Sequence, residues 1–218
     1  MLLLLASAGA GRARAADLAG RVQLLADGKP ISGEVREAVV SYEPRPSVPV
    51  QPAPQPLEIV MREKEFVPHV LAVTRGSTVR FPNADPILHN VFSVSPENPF
   101  DLGLYGNGPG KTCTFAAAGL VRVYCNVHHS MVAYVLVLDT PFFAFPAPDG
   151  TFRLTGLPEG GGTLRVWQER CDPWSVEVRL PAAGPVDVRI EITHRRLPPH
   201  LDKFGKPYRE TRGDRSYR

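Results

Sequence analysis

Apolar residues along this chain recur mostly at every second position and in short runs, the period of half-buried strands; no long stretch keeps the 3.6-residue spacing of an amphipathic helix. "FVPHVLAVTRGSTVRFPNAD" reads as two strands around a turn at Arg75 and Gly76, with Val73, Val79 and Phe81 facing a core. "LHNVFSV" is the next strand, followed by an expected long loop, rich in Gly, Pro and Asn, from Ser95 to Gly110. "TCTFAAAGLVRVYC" gives two strands broken at Gly119, and its alternation turns Val121, Val123 and Cys125 to one side. "MVAYVLVL" is a nearly continuous apolar strand.

On either side of that region the pattern has another character. "GRVQLLADGKPISGEVREAVVSYEP" predicts strand, Asp-Gly turn and strand. Two strands alone are marginal in water, so they need a sheet to join. "DGTFRLTGLPEGGGTLRVW" predicts two strands around a turn at Leu157 to Gly162, and "WSVEVRL" and "VDVRIEI" alternate apolar with charged residues as a half-exposed antiparallel sheet does. The prolines of "EPRPSVPVQPAPQP" favour an extended linker. With 23 prolines and 19 glycines punctuating strands over 218 residues, the expected fold class is all-β, in two small domains.

Charge and termini refine this picture. The formal net charge of +3 is unevenly placed: from His194 onward eight Lys or Arg stand against three Asp or Glu, so the tail carries +5 and the rest −2. The tail reads as a solvated basic arm or as a docking arm for an acidic partner. No folded face interleaves basic and aromatic residues, so nucleic acid is not an expected partner. Leu2 to Ala10 followed by "ARA" matches a secretory signal, giving residues 1–16 as a signal peptide and a mature start near Ala16 or Asp17. That run lacks a positively charged n-region, which points to a misplaced start or a truncated signal, and it is too short to span a bilayer. The expected location is exported, in the periplasm.

Three cysteines are too few for a disulfide framework. "YCNVHHSM" sets Cys125, His128 and Met131 within seven positions between two strands. A thiolate, an imidazole and a thioether form a soft donor set that favours copper, and a mononuclear blue-copper centre needs one more histidine. His89, on a separate strand, supplies it. Other readings stay open: Cys125 bridging to Cys113 across a hairpin, Met131 as core, His89 as a strand-end histidine. No Ser-His-Asp order, paired carboxylates or phosphate-cradling loop stands out, and Asp85, Glu97 and Asp101 fall in expected loops with no partner base or nucleophile arrangement. Trp167 and Trp174 read as core or edge aromatics, or as a contact patch.

"FPNAD…LHNVFS" followed by "GLVRVYCNVHHSM" resembles the cupredoxins, the blue-copper family that includes plastocyanin and amicyanin, the short C-x2-H-x2-M loop being most similar to that of amicyanin. The resemblance implies one type 1 copper held by His89, Cys125, His128 and Met131. It also implies that Asn90 hydrogen-bonds across the ligand loop, and that the electron passes through the edge of His128, ringed by Val127 and by residues around Leu88 and Pro86. Cys113 and Cys171 are then two buried thiols or a bridge, and His129 points away from the metal.

The flanking segments resemble a carboxypeptidase-regulatory, transthyretin-like β-sandwich, whose two motifs here stand roughly a hundred residues apart. The expected organisation is residues 18–43 and 141–193 as that sandwich, 44–56 as a Pro-rich linker, 57–140 as an inserted or joined Greek-key cupredoxin domain, and 194–218 as the basic tail. Chains of this combination carry a methylamine-utilisation label. The implied function is single-electron transfer between redox proteins, a dehydrogenase and a c-type cytochrome. A donor set filled by protein argues against an enzyme, so no catalytic residues are expected. Copper delivery, or an accessory binding module with a non-essential copper site, are the competing functions.

Overall fold

The structure is a computed structural model describing residues 15–194 and 201–208. The expected signal peptide therefore lies almost wholly outside the described residues, as does most of the basic tail. Among the described residues no helix is long and apolar enough to cross a membrane.

The strands in chain order are β1 (Ala15–Ala26), β2 (Lys29–Ile31), β3 (Val39–Arg45), β4 (Leu57–Glu58), β5 (Val60–Arg62), β6 (Glu65–Val67), β7 (Val70–Thr74), β8 (Thr78–Asn83) and β9 (His89–Ser93). They continue as β10 (Phe100–Tyr105), β11 (Gly108–Thr114), β12 (Gly119–Tyr124), β13 (Val132–Leu138), β14 (Phe143–Ala144), β15 (Thr151–Pro158), β16 (Gly160–Trp167), β17 (Trp174–Leu180) and β18 (Val186–Glu191). One short 3-10 turn, Glu34–Glu37, interrupts them. The chain is all-β, a set of packed sheets.

Strands β4 to β13 supply two five-stranded sheets, one ordered β10-β9-β12-β13-β7 and one ordered β11-β8-β5-β6 with β4 beside β8. Between them lies a core of Ile59, Met61, Val79, Phe81, Val91, Phe115, Val121 and Val123. Alternation decides who enters it: Val121 and Val123 are buried while Arg122 between them is exposed. The chain's two ends supply two four-stranded sheets, one built of β15, β1 and β18 with β2 added and one ordered β14-β3-β16-β17, closed over a second core that includes Leu18, Leu24, Tyr42, Leu157 and Leu164. A third cluster joins the two bodies: Val39 of β3 packs with Val70, Ala72, Tyr134 and Leu136, and the Trp167 ring lies 5.4 Å from that of Tyr134.

Two expectations are corrected. The segment Ser95 to Gly110 is not a long loop: it holds β10 and the start of β11, because Phe100, Leu102 and Tyr105 pack on the core while glycines take up the irregular ladder. Gly110 has φ 74°, and a Cβ there would sit 1.9 Å from the Phe81 carbonyl oxygen, so the position requires glycine. And β18 alternates as expected but lies parallel to β1 in the other sheet, whereas β17 pairs antiparallel with β16.

Candidate metal centre

The topology brings His89, distant in sequence, to the same sheet end as Cys125 and His128. His89 is the first residue of β9, which is the neighbour of β12, and Cys125 directly follows β12. Residues 125–131 form the connection from β12 to β13, closed by Cys125 N–H donating to the Met131 carbonyl (3.3 Å) and Met131 N–H to the His128 carbonyl (3.1 Å). The inward face that carries Val121 and Val123 continues to Cys125, which is fully buried; Met131 belongs to the same core and is also fully buried.

The Nδ1 atoms of His89 and His128 lie 3.1 Å apart, and each lies 3.8 Å from Cys125 Sγ. A point inside that triangle sits about 2.0 Å from both nitrogens and about 2.2 Å from the sulfur, close to metal bond lengths of about 2.0–2.1 Å to imidazole and about 2.3 Å to thiolate. The donor set therefore fits a soft, trigonally held ion such as copper. Val127 N–H approaches the sulfur at 3.4 Å.

His89 is completely buried, and its Nε2–H donates to Asp85 Oδ2 at 2.8 Å. That bond fixes the tautomer whose Nδ1 lone pair faces the other donors. Asp85 is itself tied down: the tight turn between β5 and β6 holds Glu63 and Lys64 at positive φ, and their N–H groups donate to its two oxygens at 2.6 and 3.0 Å. Burial works to raise the Asp85 pKa, but the Lys64 and Glu63 amides and the His89 ring together hold it below the usual carboxylate range.

Several residues stand differently from their sequence reading. Asp85 does face an imidazole, that of His89, and Asp101 lies on β10 rather than in a loop. Asn90 makes no bond to the ligand loop: its Nδ2 donates to Asp101 Oδ1 on β10 at 2.7 Å, since an ionised carboxylate on the adjacent strand is a stronger acceptor than a neutral loop carbonyl. The tail is not wholly a free arm, because Lys203 pairs with Asp101 at 2.6 Å. His129 turns toward the tail, its ring 6.2 Å from that of Tyr208. Among the described residues, none of Cys113, Cys125 and Cys171 is in a disulfide. Cys113 and Cys171 sit against different cores, and burial raises both, Cys171 to about 11. Asp85 was discernible only as a carboxylate a few residues before a candidate ligand, with no periodicity to link them.

A second group, Glu37, His69 and Glu169, is half-buried where the two bodies meet, with ligand-capable atoms within 4.8 Å of one another. His69 Nε2 lies 2.7 Å from Glu169 Oε2 and Nδ1 lies 3.1 Å from the Val132 carbonyl. Both ring nitrogens face acceptors, an arrangement that favours the protonated ring and raises the His69 pKa.

No family model matches the chain, and no curated protein does. Among solved structures it is similar to a reduced amicyanin mutant, at 21% identity over 47% of this chain and 99% of that one, TM-score 0.37. It is also similar to a purple cupredoxin from Nitrosopumilus maritimus, at 22% identity over 38% of this chain and 99% of that one, TM-score 0.33. A copper-containing nitrite reductase from Thermus scotoductus SA-01 is similar at 22% identity over 53% of this chain but only 28% of its own, TM-score 0.38. The expectation that the chain is not an enzyme is corrected by this last similarity, since the similar structures include a reductase.

Proposed function

We propose that this chain is an exported protein that holds one copper ion through His89, Cys125, His128 and Met131 and passes single electrons between redox proteins, of the dehydrogenase and c-type cytochrome kind. The observation that carries the reading is the triangle of donor atoms, 3.1 Å between nitrogens and 3.8 Å from each to the sulfur, on a buried sheet end. Copper bound there would supply a one-electron couple. The protein's part is to keep the donors still. His89 is locked by Asp85, Cys125 by the strand that precedes it, and the loop by its two internal backbone bonds. A set held in one geometry changes little between oxidation states, which favours fast electron movement.

Four apolar side chains next to the donors in chain or register stay exposed: Ile87, Leu88, Leu104 and Val127. A patch of this kind suits brief contact with a partner. Export rests on the signal-like pattern of residues 1–16. The test is copper titration of the metal-free chain followed by voltammetry. One equivalent bound per chain with a reversible one-electron wave is expected, and both should disappear in Cys125→Ser. A chain that takes up no copper, or takes it up equally in Cys125→Ser, contradicts the proposal.

A further inference from the structure

Residues Leu201 to Tyr208, "LDKFGKPY", fold into a small closed turn. Asp202 N–H donates to the Lys206 carbonyl at 2.8 Å, and the Asp202 carboxylate accepts from the N–H groups of Phe204 (2.9 Å) and Lys206 (2.8 Å). Gly205 at φ 74° closes it. The turn is fastened to the candidate metal centre at three points. Lys203 N–H donates to Asn126 Oδ1 at 2.9 Å, Lys203 Nζ to Asp101 Oδ2 at 2.6 Å, and the Tyr208 hydroxyl to the Cys125 carbonyl at 2.8 Å.

These contacts close a circuit around the donors. Asn90 follows His89 in sequence and donates to Asp101; Asp101 accepts from Lys203; Lys203 donates to Asn126, which follows Cys125. The strand that carries one donor and the loop that carries the others are thus linked through the C-terminal segment, in place of a direct bond from Asn90 to the loop. Tyr208 satisfies the carbonyl of Cys125 itself, just where β12 has ended and ladder bonding stops. Val127 stays 43% exposed and His128 is only partly buried beside this segment.

We infer that residues 201–208 are a built-in clamp on the ligand loop, with Lys203 and Tyr208 acting as positioning residues for Cys125 and its neighbours. What the clamp serves rests on the copper reading above; that it restrains the loop does not. Hydrogen–deuterium exchange on the full metal-free chain, wild type against the double variant Lys203→Ala, Tyr208→Phe, separates the two. Amides from Cys125 to Met131 should exchange several-fold faster in the variant while those of β8 stay unchanged, because local opening tracks the contacts that hold a segment. Copper(I) release to a chelator should quicken about 10-fold, the lower end of the range for lost outer contacts to metal ligands. Unchanged loop exchange overturns the clamp, whatever the copper result. Faster loop exchange in a protein that never binds copper keeps the clamp and removes the proposed function.

Discussion

Asp85 is the residue on which the candidate centre most depends without supplying a donor to it. Its carboxylate takes the His89 Nε2–H and so decides that Nδ1 faces Cys125 and His128. Asp85→Asn keeps the size but gives up the charge that stabilises that N–H. Copper affinity, measured by chelator competition, should fall about 10- to 100-fold, whereas a role confined to the β5–β6 turn would lower stability and leave affinity unchanged. At this scale the sequence was legible where donors are close together in the chain. Cys125, His128 and Met131 announce themselves by spacing, and His89 by resemblance to a family pattern. Asp101 and Tyr208 did not, because a hydrogen bond between residues distant in sequence leaves no period and no composition signal; Asp85 stands four residues before His89, but in a loop where no periodicity links the two.

Strands were legible to the extent that one face of each is buried. The alternation in β8 and β12 marks their inward residues, and the Asp27-Gly28 turn, with φ of 51° and 73°, sits where the dipeptide predicts. β10 and the start of β11 carry no strand signal because glycines and a proline conceal half-buried ladders, and the pairing of β18 is not legible because alternation reports a buried face without naming the neighbour. Between elements, the His69 ion pair gives a pH prediction. Burial would lower the His69 pKa, but the Glu169 bond, the charges of Glu169 and Glu37 and the Val132 carbonyl together raise it. A histidine raised in the folded state contributes stability that is full below its unfolded value of about 6.5 and is lost as pH rises through the folded value. Glu37, raised by burial, adds a slope of the same sign at lower pH. Urea unfolding across a pH series should show stability declining above about pH 6.5. His69→Gln should flatten that decline and cost about 1–3 kcal/mol at pH 6 by leaving Glu169 short of a charged donor. An identical slope in the variant would contradict the assignment.

For the whole molecule, the chain's two ends build one pair of sheets, its middle builds another, and a segment near the C-terminus returns to the loop that carries Cys125. Sequence patterning made the all-β class legible, but the return of the tail was hidden by its charge: eight Lys or Arg suggest solvent, while one of them, Lys203, is taken up by Asp101. Whether these sheets hold a thiolate-bound copper between His89 and His128 is read from the visible absorption of the metal-free full chain after one equivalent of copper(II) is added. An intense blue band is expected, vanishing in Cys125→Ser and persisting in His129→Ala. A colourless protein, or equal loss in the two variants, would contradict that assignment.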